Sequence, residues 1–299
     1  MRVFLTGASG WIGSAVVPDL LASGHHVVGL ARSASSASAL TSIGATAHPG
    51  SLDDLDSLRA GAAQSDGVIH LAYRHDLVFS GEATLAAESD LLAIEALGSA
   101  LEGSDRPFVV ATGLGGLPVG RVATEKDEAS VERAGGQRAA AAKVTLGFAD
   151  QRVRSAVVRL PPSVHGSGDT GFIPMIIDIA RRTGISAYAD TGDNRWPAIH
   201  RFDAAKLFRI SLESAPAGSV LHGVGDHGVA MRDIADVIAR QLDRPAVSIP
   251  ANETADHFGW IADLLRGDFP TSSAATRELL GWHPTHPNLL DDLDEGHYF

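Results

Sequence analysis

The sequence predicts an α/β fold, a doubly wound parallel sheet with a smaller C-terminal region woven into it. Short apolar runs bounded by turn residues alternate with helical patterns from residue 2 to about residue 160, the order that builds parallel βαβ units through right-handed crossovers. The first apolar run passes straight into a glycine-rich turn that opens a helix. With 299 residues, 44% hydrophobic and 20% charged, the chain can bury one large core or a large core with a smaller companion.

In order, residues 2–6 read as a buried strand and 11–23 as a helix whose apolar face is Trp11, Ile12, Val16, Val17, Leu20 and Leu21, ended by Gly24. Residues 26–31 are the second strand, 36–43 a short helix and 45–48 the third strand. In the turn Gly50-Ser51-Leu52-Asp53-Asp54, Ser51 or Asp53 would cap the next helix. Residues 67–72 form the fourth strand, 81–102 a long Ala/Leu/Glu-rich helix and 107–111 the fifth strand. The polar, glycine-rich stretch 112–130 is a loop beside the carboxyl edge of the sheet, of a length that marks a functional or mobile segment. A helix over 130–150 and a sixth strand over 153–159 follow.

Beyond that point the alternation loosens. Expected are a helix over 171–183, an extended segment over 185–189, a polar loop over 190–195, a helix over 204–214 and a strand over 218–223. A helix over 230–242, a strand over 246–249, helices over 252–265 and 273–280 and a Pro-rich tail complete the chain. The expected division gives the larger unit residues 1–165 with additions around 196–223, and the smaller unit 166–195 and 224–299.

The turn after the first strand has the spacing G-x-x-G-x-x-G, with glycines at 7, 10 and 13. Gly7 permits the sharp exit from the strand, Gly10 leaves room for a phosphate and Gly13 lets the helix pack close to the sheet. Free N–H groups and the positive end of the helix dipole then favour a pyrophosphate, so this is read as a dinucleotide site. The end of the second strand selects the dinucleotide. A free ribose 2′-hydroxyl wants an acid there, and a 2′-phosphate wants Arg with small polar residues. The stretch Leu30-Ala31-Arg32-Ser33-Ala34-Ser35-Ser36 holds no acid, so Arg32 and Ser33 favour NADP(H) over NAD, the alternative being that Arg32 is a solvated charge.

Net charge is −12 with no basic run, which argues against nucleic acid or a membrane surface as partner. The absence of cysteine removes disulfides and thiol catalysis. No apolar stretch approaches the ~18 residues of a membrane span, and residues 1–13 read as strand and turn, so a cytoplasmic location is expected. The 13 histidines show no ligand-type spacing beyond His25-His26, so no metal is expected.

Several stretches now fit one pattern in order: Thr6-Gly7-Ala8-Ser9-Gly10-Trp11-Ile12-Gly13, Arg32, His70-Leu71-Ala72, Lys143, Leu160-Pro161-Pro162-Ser163-Val164-His165-Gly166 and Ile199-His200-Arg201-Phe202-Asp203-Ala204-Ala205. Across essentially its whole length the chain resembles the extended short-chain dehydrogenase/reductases, the nucleoside-sugar epimerase and dihydroflavonol-reductase-like group. The resemblance implies a seven-stranded Rossmann-type sheet, a small C-terminal substrate region, a cofactor across the carboxyl edge and often a homodimer. By position it implies that Gly7, Ser9, Gly10, Trp11, Ile12 and Gly13 hold the pyrophosphate and that Arg32 and Ser33 hold the 2′-phosphate. Leu52 would touch adenine, Leu71, Ala72 and Tyr73 would flank the nicotinamide, and Pro161, Pro162 and Ser163 would lie near the carboxamide.

The catalytic pattern departs from the family's. Its Tyr-x-x-x-Lys uses a lysine that binds ribose and lowers the phenol pKa. Lys143 has a plausible place, but Ala139 stands four residues before it and no phenol is near. The family's Ser/Thr after the fifth strand is Thr112 or Gly113 here. Thr112 and Lys143 are the catalytic candidates and are also expected at the cofactor, where Lys143 could hold the ribose hydroxyls without a tyrosine. Tyr73, His165 and His200 are further ones, each with a packing role as the commoner explanation, and Tyr188 is a core or pocket residue. The favoured reading is an NADPH-dependent oxidoreductase acting on a small, largely apolar carbonyl or imine. It competes with a non-catalytic NADP-binding sensor and with a nucleotide-sugar epimerase or dehydratase.

Overall fold

Seven parallel strands form the central sheet of the computed structural model, which describes residues 1–133 and 135–299 and all their side chains except that of Phe79. They are β1 (Arg2–Thr6), β2 (His26–Ala31), β3 (Thr46–Pro49), β4 (Gly67–His70), β5 (Pro107–Gly113), β6 (Arg154–Leu160) and, after three shorter strands, β10 (Ser219–His222). The order across the sheet is β10-β6-β5-β4-β1-β2-β3. The direction of winding reverses at β1, which pairs with both β2 and β4, so a crevice opens at the carboxyl ends there.

Period-two alternation feeds both faces of the sheet. Val3, Leu5, Val109 and Val158 enter one core with Val16, Leu20, Leu207 and Phe208 from the helices Gly13–Ala22 and Arg201–Ser214. Phe4, Val68, Phe108 and Val110 enter the other with Leu58, Ile94, Leu97 and Phe148. A sheet covered on both faces explains why its strands are continuous apolar runs.

The remaining strands are β7 (Ser163–His165), β8 (Ser186–Ala189), β9 (Arg195–His200), β11 (Asp226–Ala230) and β12 (Ala246–Ile249). A small sheet of order β11-β9-β7 and the pair β12-β8 lie over a second core of Ile173, Ile177, Trp196, Ile234, Ile238, Phe258 and Leu289. The chain leaves the main sheet after β6 and returns through the helix Arg201–Ser214 and β10, so the two regions are interwoven.

Several expectations change. The helix expected at 130–150 is confined to Ala139–Gly147 with 3₁₀ turns at Gly136–Arg138 and Phe148–Gln151, and its position 134 lies outside the described residues. The helix expected at 252–265 divides into Thr254–Phe258 and Ala262–Leu265 because Gly259 adopts φ +62°. A short helix, His75–Phe79, precedes Ala83–Ser99, and the tail contains the helix Leu289–Asp294. Asp54, rather than Ser51 or Asp53, caps the helix Leu55–Ala63 by accepting the Ser57 N–H at 3.0 Å. The loop after β5 is anchored: Ala123 donates its N–H to Pro270 O, Arg159 donates to Asp127 O, and Leu114, Leu117 and Val224 pack together.

Candidate active site

The crevice at the β1 reversal is the mouth of a cleft of about 1030 Å³. It is lined at one end by Gly7, Ser9, Gly10, Trp11, Ile12, Gly13, Arg32 and Leu52, and at the other by Thr112, Arg138, Val164, Asp169, Phe172, Met175 and Trp260. Leu71, Ala72, Tyr73, Pro161 and Pro162 lie between, so most of the expected positions are brought together.

The glycine turn is built by contact. A Cβ on Gly13 would stand 2.1 Å from Gly7 O, and one on Gly7, which holds φ +69°, 2.7 Å from Ala72 N. A Cβ on Gly10 would meet only Gly7 O, at 3.2 Å, so the space beside Gly10 is open for a ligand. Among the described residues no backbone carbonyl accepts the N–H of Trp11 or Ile12. Trp11 is fixed by donating Nε1–H to Val164 O at 2.7 Å, with the Arg201 guanidinium 4.1 Å over its ring. These donors at a helix N-terminus fit a pyrophosphate. Arg32 is exposed at the cleft and has no acid paired with it among the described residues. Ser33 does not line the cleft. Its Oγ accepts the Ser36 N–H at 3.2 Å and caps the next helix. With Asp54 serving as the other cap, Asp53 is left at the cleft wall, paired with Arg74 at 3.3 Å.

At the carboxyl end of β5, Thr112 is 3% exposed, lines the cleft and has no hydrogen-bond partner for its hydroxyl among the described residues. Thr112, not Gly113, therefore offers the hydroxyl. Lys143 does not line the cleft. The helix begins only at Ala139, so Lys143 falls one turn further along and is exposed. From this segment it is Arg138, on the 3₁₀ turn before that helix, that lines the cleft.

Arg138 ends a buried chain of side chains. Thr6 Oγ1 accepts the Ala72 N–H at 3.3 Å and is hydrogen-bonded to His70 Nδ1 at 2.8 Å. Asp90, an acceptor only when ionised, takes the His70 Nε2–H on Oδ1 at 3.1 Å. Asp90 accepts Arg138 Nε at 3.1 Å, and Arg138 Nη2 reaches Ala111 O at 2.5 Å. Burial alone would raise the Asp90 carboxyl, but the Arg138 charge and the His70 hydrogen bond outweigh it and hold the group below its ordinary value, a carboxylate. The guanidinium lies 4.2 Å from the centre of the Tyr73 ring. Burial pushes the Tyr73 phenol up, so it keeps its proton at neutral pH. Sequence reasoning missed Asp90 and Arg138. The signal for Asp90 is an acid on the apolar stripe Ala86, Asp90, Ala93, Leu97.

The two candidate histidines stand outside the cleft. His165 is fully buried and its Nδ1 bonds Asp292 Oδ2 at 2.8 Å. His200 packs against His165 and stacks on His286 at 4.8 Å. Burial, aided by His165, pushes His200 down to about 4, so it is neutral near pH 7 and unsuited as an acid there. Ser163 is buried in β7 with its Oγ unpartnered among the described residues, and Tyr188 lies in β8 away from the cleft. Asp169, which sequence reasoning did not single out, lines the cleft with its carboxyl pushed up by burial. The tail brings the ligand atoms of Asp292, Glu295 and His297 within 4.8 Å of one another, away from the cleft. No described helix is long and apolar enough to cross a membrane.

Residues 3–222 match the model of the NAD dependent epimerase/dehydratase family. A protein of Schizosaccharomyces pombe, described only as uncharacterized, is 45% identical over 300 residues, spanning 100% of both chains. A 4-hydroxy-2-methyl-3-oxo-4-farnesyl-3,4-dihydroquinoline-1-oxide ketoreductase of Stigmatella aurantiaca is 29% identical over 229 residues, 74% of this chain and 67% of its own. Among solved structures, a double mutant of the Streptomyces venezuelae dTDP-glucose 4,6-dehydratase with NAD bound superposes with a TM-score of 0.78 at 17% identity, covering 99% of this chain and 96% of that one, a likeness of fold.

Proposed function

The chain belongs to the NAD-dependent epimerase/dehydratase family, and from that premise we propose that it is an NADPH-dependent oxidoreductase that reduces a small, largely apolar carbonyl or imine. The observation that carries this is one continuous cleft with two unlike ends. The glycine turn and Arg32 occupy one end, and Val78, Phe172, Met175 and Trp260 wall the other beside Thr112. Apolar walls with few convergent polar groups suit a small apolar substrate.

When bound, the reduced nicotinamide supplies a hydride, and the chain orients the partners and limits water. The N–H groups of the glycine turn would hold the pyrophosphate. Arg32 would hold the 2′-phosphate at a strand end that carries no acid. Leu30 and Leu52 would hold the adenine, and Pro161 and Pro162 would lie by the carboxamide. Thr112 Oγ1 would hydrogen-bond the reacting group. Ser33, occupied as a helix cap, contributes less than Arg32.

The deciding experiment is a panel of aldehydes, ketones and cyclic imines followed by NADPH absorbance, alongside calorimetry with NADPH and NADH. Tighter NADPH binding with turnover of apolar members is expected. Tight binding without turnover would favour the sensor reading, to which the missing phenol lends support. The epimerase reading is disfavoured because, beyond Arg32, the guanidiniums that line the cleft among the described residues, Arg74 and Arg138, are already paired with Asp53 and Asp76 and with Asp90.

A further inference from the structure

We propose that Arg138 is the electrophilic catalytic group of this cleft, that Thr6, His70 and Asp90 are its positioning residues, and that the substrate is an aldehyde or ketone in preference to an imine. This rests on the reductase reading above and narrows it.

The geometry is specific. Arg138 spends Nε on Asp90 Oδ2 and Nη2 on Asp90 Oδ1 and Ala111 O. Nη1 has no hydrogen-bond partner among the described residues, and the side chain is 19% exposed, where it lines the cleft. Ala111 immediately precedes Thr112, so the guanidinium is tied to the backbone one residue before the threonine, and both residues line the cleft. A guanidinium cannot lose its proton near neutrality, so it serves as a donor and a charge rather than an acid. Its orientation is fixed from behind. Asp90 and His70 have fully buried side chains, and each atom of the chain back to Thr6 and the Ala72 N–H has a defined partner. A charge held rigidly beside the place where charge develops lowers the barrier without reorganisation.

The chemistry balances as follows. The carbonyl carbon gains the hydride and a C–H bond forms. The C=O π pair moves onto oxygen while the nicotinamide is oxidised. The alkoxide accepts N–H from Arg138 Nη1 and O–H from Thr112. Water in the open cleft gives the proton, and hydroxide leaves to solvent. A protonated imine starts with the charge that Arg138 carries, so the same group that stabilises an alkoxide repels an iminium.

The test uses the NADPH-saturated full chain and benzoate, an apolar anion that mimics the alkoxide charge. Calorimetry should show benzoate binding that weakens by about tenfold or more in Arg138→Met, the loss of a charge-assisted pair. Because Arg138→Met strands Asp90, the double variant Asp90→Asn/Arg138→Met and the single variant Arg138→Lys are measured beside it. In Arg138→Lys, a single ammonium cannot serve Asp90, Ala111 O and the cleft together. Aldehyde turnover should fall on the order of 100-fold in each Arg138 variant while NADPH affinity holds. His70→Gln should lower kcat while leaving benzoate binding measurable and KM little changed. Unaltered benzoate affinity in the double variant, NADPH affinity lost in step with turnover, or a preference for imines over matched ketones overturns the proposal. If Arg138 governs benzoate binding but no carbonyl is reduced by the unsubstituted protein, the reductase reading falls and the anion site stands.

Discussion

Buried neutral histidine makes this fold sensitive to mild acid, and His222 offers the sharpest test. It lies on β10 at 0% exposure. Its Nδ1–H donates to Ser272 O at 2.8 Å, and its Nε2 faces Arg159 Nη1 at 3.4 Å. Protonating Nε2 would remove the acceptor and place a second cation against Arg159. Burial is the main cause, with Arg159 adding to it, and the ring is pushed down to about 4. The unfolded imidazole takes its proton near pH 6.5. Between those values the unfolded chain binds more protons, so stability falls as pH falls from about 6.5 towards 4. At pH 5 the difference costs about 2 kcal/mol for one such histidine. His200, also near 4, adds a similar amount.

The assay is denaturant unfolding at pH 7.5 and pH 5 for the unsubstituted chain and for His222→Gln, whose amide can still donate to Ser272 O and accept from Arg159. The unsubstituted chain should lose about 4 kcal/mol more than a protein without such histidines. The variant should recover about half of that difference. An identical pH dependence in His222→Gln would show that His222 does not hold the neutral, buried state on which the reasoning depends.

Four further predictions concern the cleft. Gly13→Ala places a Cβ 2.1 Å from Gly7 O, so about 1–3 kcal/mol of stability should be lost in a urea melt, together with NADPH binding. Gly10→Ala meets its nearest atom at 3.2 Å, so it should keep the melt and lose only the cofactor, and a destabilised Gly10→Ala would contradict that separation. Arg32→Glu supplies the acid missing after β2, so calorimetry should show NADPH weakened by about tenfold or more with NADH unchanged or improved. Thr112→Val keeps shape and removes a hydroxyl with no partner among the described residues, so kcat should fall on the order of 100-fold with no loss in the melt.

The main sheet was legible because its signals are local. An apolar run between turn residues gives each central strand to within a few residues, as β1 and β2 show. The short strands of the second region carry too few residues for alternation to show: β7 has three, and its register against β9 depends on residues more than thirty positions away. The tail helix Leu289–Asp294 is opened by Asn288, which accepts the Asp291 N–H, a cap hidden among prolines. The histidine group His165, His200 and His286 comes from widely separated stretches, so no spacing could reveal it.

The same physics explains why the cofactor end could be read and the catalytic end could not. The glycine turn works through backbone N–H groups and the absence of side chains, and both are properties of one contiguous segment. The proposed catalytic end draws on side chains from four elements: Thr6 on β1, His70 on β4, Asp90 on the helix Ala83–Ser99 and Arg138 on a 3₁₀ turn. A lysine at the expected helix drew attention to Lys143, yet a helix that starts only at Ala139 turns that side chain to solvent. Arg138 reaches the cleft because Asp90 holds it there, and Asp90 stays ionised in the core because Arg138 and His70 hold its charge. Removing either partner of such a buried pair costs about 3–5 kcal/mol, so each residue's presence is explained only by the other. In the proposed mechanism, the charge that a phenol and lysine would have organised comes instead from a pair whose members are 48 residues apart.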